Sequence, residues 1–212
     1  MDDSKKLITH YFMQDLQKTK LGLVMATDPR WVNIAEMNIG YILSDHAWCE
    51  QKAATTGISL IVKYAHYPQI IEEVTPIVAE EWGHFRRVLK ELKKRDLPFE
   101  MPRKDDYVNK LFGIEKRGLK PDEVAVEKLL ISAMIEARSC ERFRLLSLHI
   151  QDEELKVFYR EFMESEAGHY HTFLNLAKSI LPADYVMNRW NEFLIAEADI
   201  MKSMELRGDR IH

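Results

Sequence analysis

Carboxylates and imidazoles recur in this chain at a spacing that suits a metal centre. One glutamate is followed 31 residues later by a Glu-x-x-His pair, and a second glutamate is followed 30 residues later by another such pair. Four carboxylates and two imidazoles suit iron or manganese better than zinc or calcium. Helical bundles use this set, two single glutamates and two Glu-x-x-His pairs, to hold two metal ions. The candidate metal ligands are therefore Glu50, Glu81, His84, Glu136, Glu166 and His169.

Helix geometry allows these six side chains to meet. Residues three apart lie on one helix face, so each Glu-x-x-His pair can direct two ligands at one point. Turns are predicted near Tyr67-Pro68 and Ile150–Asp152. Each candidate glutamate lies about 13 to 16 residues from its turn, which at 1.5 Å per residue places the ligands of a hairpin within roughly 5 Å in height. All four carboxylates are candidates to bridge the two ions.

Alternatives remain for several of these positions. The six residues could be ordinary charges on helix surfaces, although apolar neighbours such as Ile77 and Phe162 favour a core-facing stripe, where an unpaired glutamate is costly. Glu141 is the main rival to Glu136. His46 lies one turn before Glu50 and is either an outer partner of that carboxylate or a packing histidine.

The elements that must position these residues are predicted to be helices, because the apolar periodicity is helical and no convincing alternation of period two occurs. Two long hairpins joined by a long crossover are expected, which is typical of an all-α, ferritin-like four-helix bundle with accessory N- and C-terminal helices. The predicted helices cover about Lys5–Lys18, Trp31–His66 (with a possible break near Asn38–Gly40), Pro68–Arg95, Asp106–Phe112, Pro121–His149, a segment after the cap Asp152 that ends before Pro182, and Ala183–Glu205.

Length and composition indicate one ordinary globular domain. The chain has 212 residues, of which 46% are hydrophobic and 30% charged. We expect a single domain over 1–212, with a core at about 31–179 and accessory segments at 1–30 and 183–212. Two cysteines, the lack of a signal-peptide pattern at the start and the lack of a membrane-spanning apolar run favour a cytoplasmic protein.

The net charge of −4 does not indicate a nucleic-acid-binding protein, but the charge is uneven. Residues 86–104 hold eight basic and three acidic side chains, a balance of +5, which leaves −9 for the remainder. Such a stretch could contact phosphates, or it could be a solvated helix end whose cations suit the helix dipole. The candidate substrate-binding residues are Arg86, Lys90 and Lys93, with Arg207 and Arg210 as second choices.

Longer segments add a family resemblance. The blocks DHAWCEQKAA and IEARSCERF, together with EEWGHF and FYREFMESEAGHYHTFLNLA, resemble the bacterial tRNA hydroxylase family that acts on 2-methylthio-isopentenyl-adenosine next to the anticodon. The resemblance runs from about Trp31 through the tail. It implies a ferritin-like, non-haem di-iron monooxygenase that uses O2, takes the tRNA anticodon loop as partner and binds two Fe ions through the same six residues. Since no dinucleotide-binding or flavin motif is present, a separate reductase or ferredoxin-type electron donor is expected.

Two other functions are compatible with a di-metal bundle. One is a ferritin-like iron-binding or iron-storage protein, and the other is a di-iron peroxidase of the rubrerythrin kind. The peroxidase in its usual form is disfavoured because no CxxC pair occurs. The long crossover and the accessory segments favour an enzyme over a minimal storage bundle.

Overall fold

The computed structural model describes residues 21–212, and all regular structure in that range is helical. The predicted all-α class is therefore confirmed, while the helix predicted near Lys5–Lys18 lies outside the described residues. In chain order the helices are α1 (Arg30–Met37), α2 (Ile39–Lys63), α3 (Pro68–Lys94), α4 (Asp106–Phe112), α5 (Pro121–His149), α6 (Glu153–Ile180) and α7 (Ala183–Ser203).

Local sequence explains where the bundle helices begin. Pro68 and Pro121 occupy the first positions of α3 and α5, where a missing amide hydrogen costs nothing and the fixed backbone angle suits a helix. Asp105 and Asp152 cap α4 and α6, each accepting a hydrogen bond at 3.0 Å from the amide three residues later. These caps fix the frame in which the long helices present their side chains.

A break separates α1 from α2, as the sequence suggested. Asn38 leaves the helical region with φ −124° and ψ 32°, and its side-chain amide donates to the Ile34 carbonyl at 2.7 Å. Further along α2, Gly57 allows a close approach to α3, because a Cβ atom there would lie 2.5 Å from Cγ2 of Val78. The break turns the chain into the bundle, and the glycine lets the first hairpin close tightly.

Four long helices form the bundle as two hairpins. Helix α2 packs against α3 and α5 packs against α6, while α3 and α6 join the hairpins. Residues 95–120 connect the hairpins and carry α4. Helix α7 packs on α4, α5 and α6. None of the helices between residues 21 and 212 is long and apolar enough to cross a membrane.

The apolar core is divided into two parts, with a polar layer between them. On α2 the residues up to Ala47 belong to one part and those from Leu60 to the other. On α6 the same change occurs between Phe162 and Tyr170. Glu50 and Glu166 fall inside these intervals, and Glu81 and His84 fall between the two parts on α3. On α5, Glu136 lies beside Ala137, at the edge of the part that contains Leu60. All four bundle helices therefore present their candidate ligands at one level of the core.

Candidate metal centre

All six candidate ligands are buried in the polar layer, and they form two overlapping groups. In each group the ligand atoms lie within 4.8 Å of one another. Helices α2, α3, α5 and α6 each contribute at least one side chain. The first group is Glu50, Glu81, His84 and Glu166, and the second is Glu81, Glu136, Glu166 and His169.

Glu81 and Glu166 belong to both groups, with one oxygen directed to each. Nδ1 of His84 lies 3.8 Å from Oε2 of Glu81 and 3.9 Å from Oε1 of Glu166. Nδ1 of His169 lies 2.8 Å from Oε1 of Glu81 and 3.3 Å from Oε2 of Glu166. The same nitrogen of each imidazole thus faces the layer between the helices. This arrangement suits two carboxylates that bridge a pair of ions.

The remaining glutamates each belong to one group. Oε2 of Glu50 lies 3.4 Å from Nδ1 of His84, and Glu136 joins His169 in the second group. Glu141, the rival considered for the position of Glu136, is buried elsewhere and accepts a hydrogen bond from the Thr27 amide at 3.3 Å. The step of five residues from Glu136 to Glu141 turns the helix by about 140°, which explains the separation.

Two residues outside the candidate set contact it from behind. His46 is fully buried, and its Nε2 lies 2.7 Å from Oε1 of Glu50, so it is an outer partner of that carboxylate. The half-exposed Glu80 places Oε2 at 3.2 Å from Nε2 of His169 and Oε1 at 3.8 Å from Nε2 of His84. The sequence reasoning missed Glu80, although its position four residues before His84 was a usable signal.

Charge in the layer is balanced by shifts in protonation. Burial, and then the neighbouring carboxylates, raise the pKa values of Glu50 and Glu136 well above the ordinary value. For Glu81 the effect of burial is outweighed by contacts with Glu50, His169 and His84, so its pKa is lowered. For His169 the effect of burial is outweighed by Glu166 and Glu81, which raises its pKa to about 12. Without metal, the layer therefore retains protons that a bound cation would displace.

Several buried polar atoms of the layer lack hydrogen bonds. Among residues 21–212, neither oxygen of Glu81, nor Oε1 of Glu166, nor Nδ1 of His84 makes a hydrogen bond of favourable angle, although histidine nitrogens and carboxylate oxygens approach one another closely. Leaving buried polar atoms unpaired is costly unless they bind something else. The layer holds four carboxylates and two imidazoles, and their lone pairs are directed inward. This set of ligands fits a pair of divalent transition-metal ions. The residues present are therefore compatible with a di-metal centre.

The five predicted substrate-binding cations lie apart from this layer. Arg86, Lys90 and Lys93 are exposed on α3. Arg207 donates two hydrogen bonds to Asp209, at 3.0 and 2.8 Å, and Arg210 donates to the Lys104 carbonyl. Their role in substrate binding stays a prediction.

Comparison with known proteins gives the family. The family model described as tRNA-(MS[2]IO[6]A)-hydroxylase (MiaE) matches residues 14–212. This chain belongs to the MiaE family. A Pseudomonas putida relative named tRNA 2-(methylsulfanyl)-N(6)-isopentenyladenosine(37) hydroxylase is 38% identical over 151 residues, which cover 71% of this chain and 72% of the relative. A Salmonella typhimurium protein of the same name is 28% identical over 239 residues, covering 90% of this chain and 83% of that protein.

A solved structure supports the architecture of this MiaE-family chain. A Synechococcus protein described as having aldehyde deformylating oxygenase activity superposes with a TM-score of 0.83 at 30% sequence identity. The match covers 90% of this chain and 94% of the other. The predicted ferritin-like architecture is thus confirmed, and the superposed protein is itself an oxygenase.

Proposed function

We propose that this protein is a tRNA hydroxylase, a monooxygenase that hydroxylates the isopentenyl group of 2-methylthio-isopentenyl-adenosine next to the anticodon. The reaction inserts one oxygen atom of O2 into a C–H bond, and the other leaves as water with two electrons and two protons from outside. The observation that carries the proposal is the convergence of four carboxylates and two imidazoles in the core of a MiaE-family chain.

Two iron ions are the cofactor that suits these residues. Glu50 and His84 would hold one ion, Glu136 and His169 the other, and Glu81 and Glu166 would contact both. When bound, the ion pair supplies redox chemistry with O2 that no bare side chain provides.

The protein's own residues hold and orient these ligands. His46 fixes Glu50 from behind, and Glu80 spans the outer nitrogens of both histidines. Partners of this kind set ring orientation and strengthen metal binding. Rings of Phe143 and Phe162, each 4.6 Å from the His46 ring, close the layer on one side and exclude water from it.

The proposed reaction needs partners. Because O2 accepts more electrons than the C–H bond supplies, a separate reductase or ferredoxin-type donor is required. The substrate is the anticodon loop of tRNA, whose unpaired bases can be turned outward at low cost. Since tRNA is the substrate, we expect the protein to act in the cytoplasm.

A reconstituted assay tests the function. Iron-loaded protein, a reducing system and tRNA carrying 2-methylthio-isopentenyl-adenosine are incubated under ¹⁸O2, and nucleosides are analysed by mass spectrometry. We expect a product heavier by one ¹⁸O atom, and none from a Glu81→Ala/His169→Ala variant. Iron-loaded wild-type protein that leaves the nucleoside unchanged with a competent reducing system would refute the proposal.

Iron content separates this function from storage. The proposed enzyme holds two ions per chain at the six ligands, whereas a storage protein accumulates many more. Iron measured per chain after loading and desalting therefore decides between them. A large excess of retained iron would favour storage.

A further inference from the structure

A large cavity adjoins the candidate metal centre. Its volume is about 450 Å³, and its walls come from α2, α4, α5, one residue of α6 and the C-terminal tail. The walls are largely apolar, with Leu60, Val108, Ile131, Ile135 and Phe173 among them. A cavity of this size and character is typical of a site for a small organic group.

Glu136 connects the cavity to the metal centre. It lines the cavity and also belongs to the second ligand group with His169. The other five candidate ligands do not line the cavity. A molecule that enters from the surface would therefore approach the centre on the side of Glu136.

The outer part of the cavity carries cations and an exposed aromatic ring. Lys52, Lys63 and Lys128 line it, and so does Phe112, whose residue surface is 46% exposed. Nζ of Lys128 lies 5.2 Å from the centre of the Phe112 ring. Nζ of Lys52 lies 3.7 Å from Oδ2 of Asp105, which also lines the cavity, and Nζ of Lys128 pairs with Glu115. Among residues 21–212 no carboxylate lies within 4 Å of Nζ of Lys63, so this lysine is the cation of the cavity best placed to take a phosphate. Cations beside an exposed aromatic ring are the combination by which proteins bind single-stranded nucleic acid.

A buried polar atom is available deeper in the wall. His212 is buried, its Nε2 is hydrogen-bonded to Oγ of Ser139 at 2.8 Å, and its Nδ1 has no hydrogen-bond partner among residues 21–212. An apolar cavity with a few polar groups of this kind can orient a nucleobase, because the polar atoms select its edge.

We infer that this cavity receives the modified adenine of the anticodon loop, an assignment that rests on the proposed function. The isopentenyl chain lies among the apolar walls with its end toward Glu136, and Phe112 stacks on an adjacent unpaired base. Lys52, Lys63 and Lys128 contact phosphates of the loop. The exposed cations of α3 do not line this cavity, so the inference differs from the sequence-based prediction of Arg86, Lys90 and Lys93.

Binding experiments test the mouth of the cavity. Iron-loaded protein is titrated without O2 into fluorescent anticodon stem-loop RNA containing 2-methylthio-isopentenyl-adenosine. Lys52→Glu/Lys63→Glu should weaken binding about ten-fold or more and flatten its salt dependence. Phe112→Ala should weaken binding by about 5- to 150-fold with little change in the salt dependence. Lys202→Glu on α7 is the matched control and should bind as wild type.

Activity on the free nucleoside separates the role of the residues in the outer part of the cavity from the role of its interior. Lys52→Glu/Lys63→Glu should lower hydroxylation of the RNA at least about ten-fold more than that of free 2-methylthio-isopentenyl-adenosine, because the free nucleoside presents no phosphates. Ser132→Leu, which fills the interior, should lower hydroxylation of both the nucleoside and the RNA while bound iron stays the same. If Ser132→Leu fails to fold, Thr56→Trp serves instead, because Thr56 is an exposed wall residue whose enlargement narrows the mouth.

The outcomes distinguish this inference from the proposed function. Wild-type protein that hydroxylates neither RNA nor nucleoside would refute the function itself. Active wild-type protein whose RNA binding is lost in Arg86→Glu/Lys90→Glu/Lys93→Glu, but retained in Lys52→Glu/Lys63→Glu and Phe112→Ala, would overturn the cavity assignment alone.

Discussion

Helix α5 carries buried charged residues on two opposite faces, and the partners of these residues differ between the two faces. Toward α7, Glu127 receives two hydrogen bonds from Arg189, at 2.5 and 2.7 Å, and Arg138 donates to Glu197 at 2.8 Å. The eleven residues from Glu127 to Arg138 complete about three turns, so both lie on one face. The buried carboxylates of Glu127 and Glu197 thus each have an arginine partner at this face.

The opposite face presents Glu136, about 180° from Glu127 around the helix. Glu136 shares its ligand group with Glu81, Glu166 and His169. Among residues 21–212 the ion-pair partners of the layer's buried carboxylates are histidines, without an arginine or lysine nitrogen within 4 Å. Buried charges that neutralise one another are part of the architecture, whereas a buried excess of carboxylates requires protons or a cation. The contrast identifies which charged layer is structural and which is suited to bind metal.

The largest expected effect on stability comes from removing the arginine of the Arg138–Glu197 ion pair, on the structural face of α5. Arg138→Met leaves the fully buried Glu197 without its cation and should lower the free energy of unfolding by about 3–5 kcal/mol. Urea denaturation of the metal-free protein measures this loss. Arg138→Met/Glu197→Met should recover most of it, because two apolar side chains replace the pair. A double variant as unstable as the single one would show that packing, not charge, dominates at this site.

The opposite face of α5, which presents Glu136, should instead make the stability of the protein depend on bound iron. At a free iron concentration one hundred times Kd, wild-type protein should gain about 2.7 kcal/mol of stability. Glu81→Gln should lose this gain, measured against its own metal-free form, because Glu81 belongs to both ligand groups. Glu73→Gln, exposed on the same helix, is the matched control. A Glu81→Gln variant stabilised by iron as strongly as wild type would contradict the shared role of this carboxylate.

Substitution of the residues that contact the ligands from outside should weaken iron binding less than substitution of the ligands themselves. His46→Phe and Glu80→Gln should each weaken iron binding by about 10- to 100-fold, because outer partners orient the ligands. Competition with a chelator measures the affinity. Glu72→Gln on the exposed face of α3 provides the comparison, and affinities equal to wild type in both variants would mean that the ligands need no support from behind.

The pH dependence should be the most gradual effect, and it should differ between the metal-free and iron-loaded proteins. Because the pKa values of Glu50 and Glu136 are raised in the folded state, their contribution to stability is full below the unfolded value and declines as pH rises through the folded values. Relative to a variant that lacks these two carboxyls, the metal-free protein should therefore gain stability as pH falls from 8 to 5, by at most about 1.4 kcal/mol per pH unit for each carboxyl.

Iron binding should show the opposite trend, because protons compete for the same oxygens. Thermal unfolding of both forms across this pH range measures the two slopes. A Glu50→Gln/Glu136→Gln variant isolates the contribution of these carboxyls, since it lacks both titrations. Equal slopes in the wild-type and variant metal-free proteins would contradict the raised pKa values.

Sequence periodicity was sufficient for the bundle but not for every contact within it. The limits of α3, α4 and α5 follow from prolines, caps and apolar spacing, and the common height of Glu50 and Glu81 follows from their distances to one turn. In contrast, the ion pair of Arg138 with Glu197 joins residues 59 apart, and no local signal records it. Where side chains from distant segments meet depends on helix rotation and tail packing.

The same limit applies to the candidate centre. Spacing brought out the six buried residues, yet the position of Glu81 and Glu166 between two groups depends on side-chain geometry that spacing does not contain. The cavity beside Glu136 is formed by α2, α4, α5 and the distant tail residue His212. The sequence pattern gave no reason to prefer the lysines of this cavity over the denser basic stretch at 86–104 as phosphate contacts.

Anomalous diffraction at the iron absorption edge, from crystals grown with ferrous iron without oxygen, tests the central claim most directly. The account predicts two peaks in the layer between α2, α3, α5 and α6, each beside one histidine, with Glu81 and Glu166 contacting both. Iron-soaked crystals with no peak in that layer, or with the six side chains directed away from the ions, would contradict it.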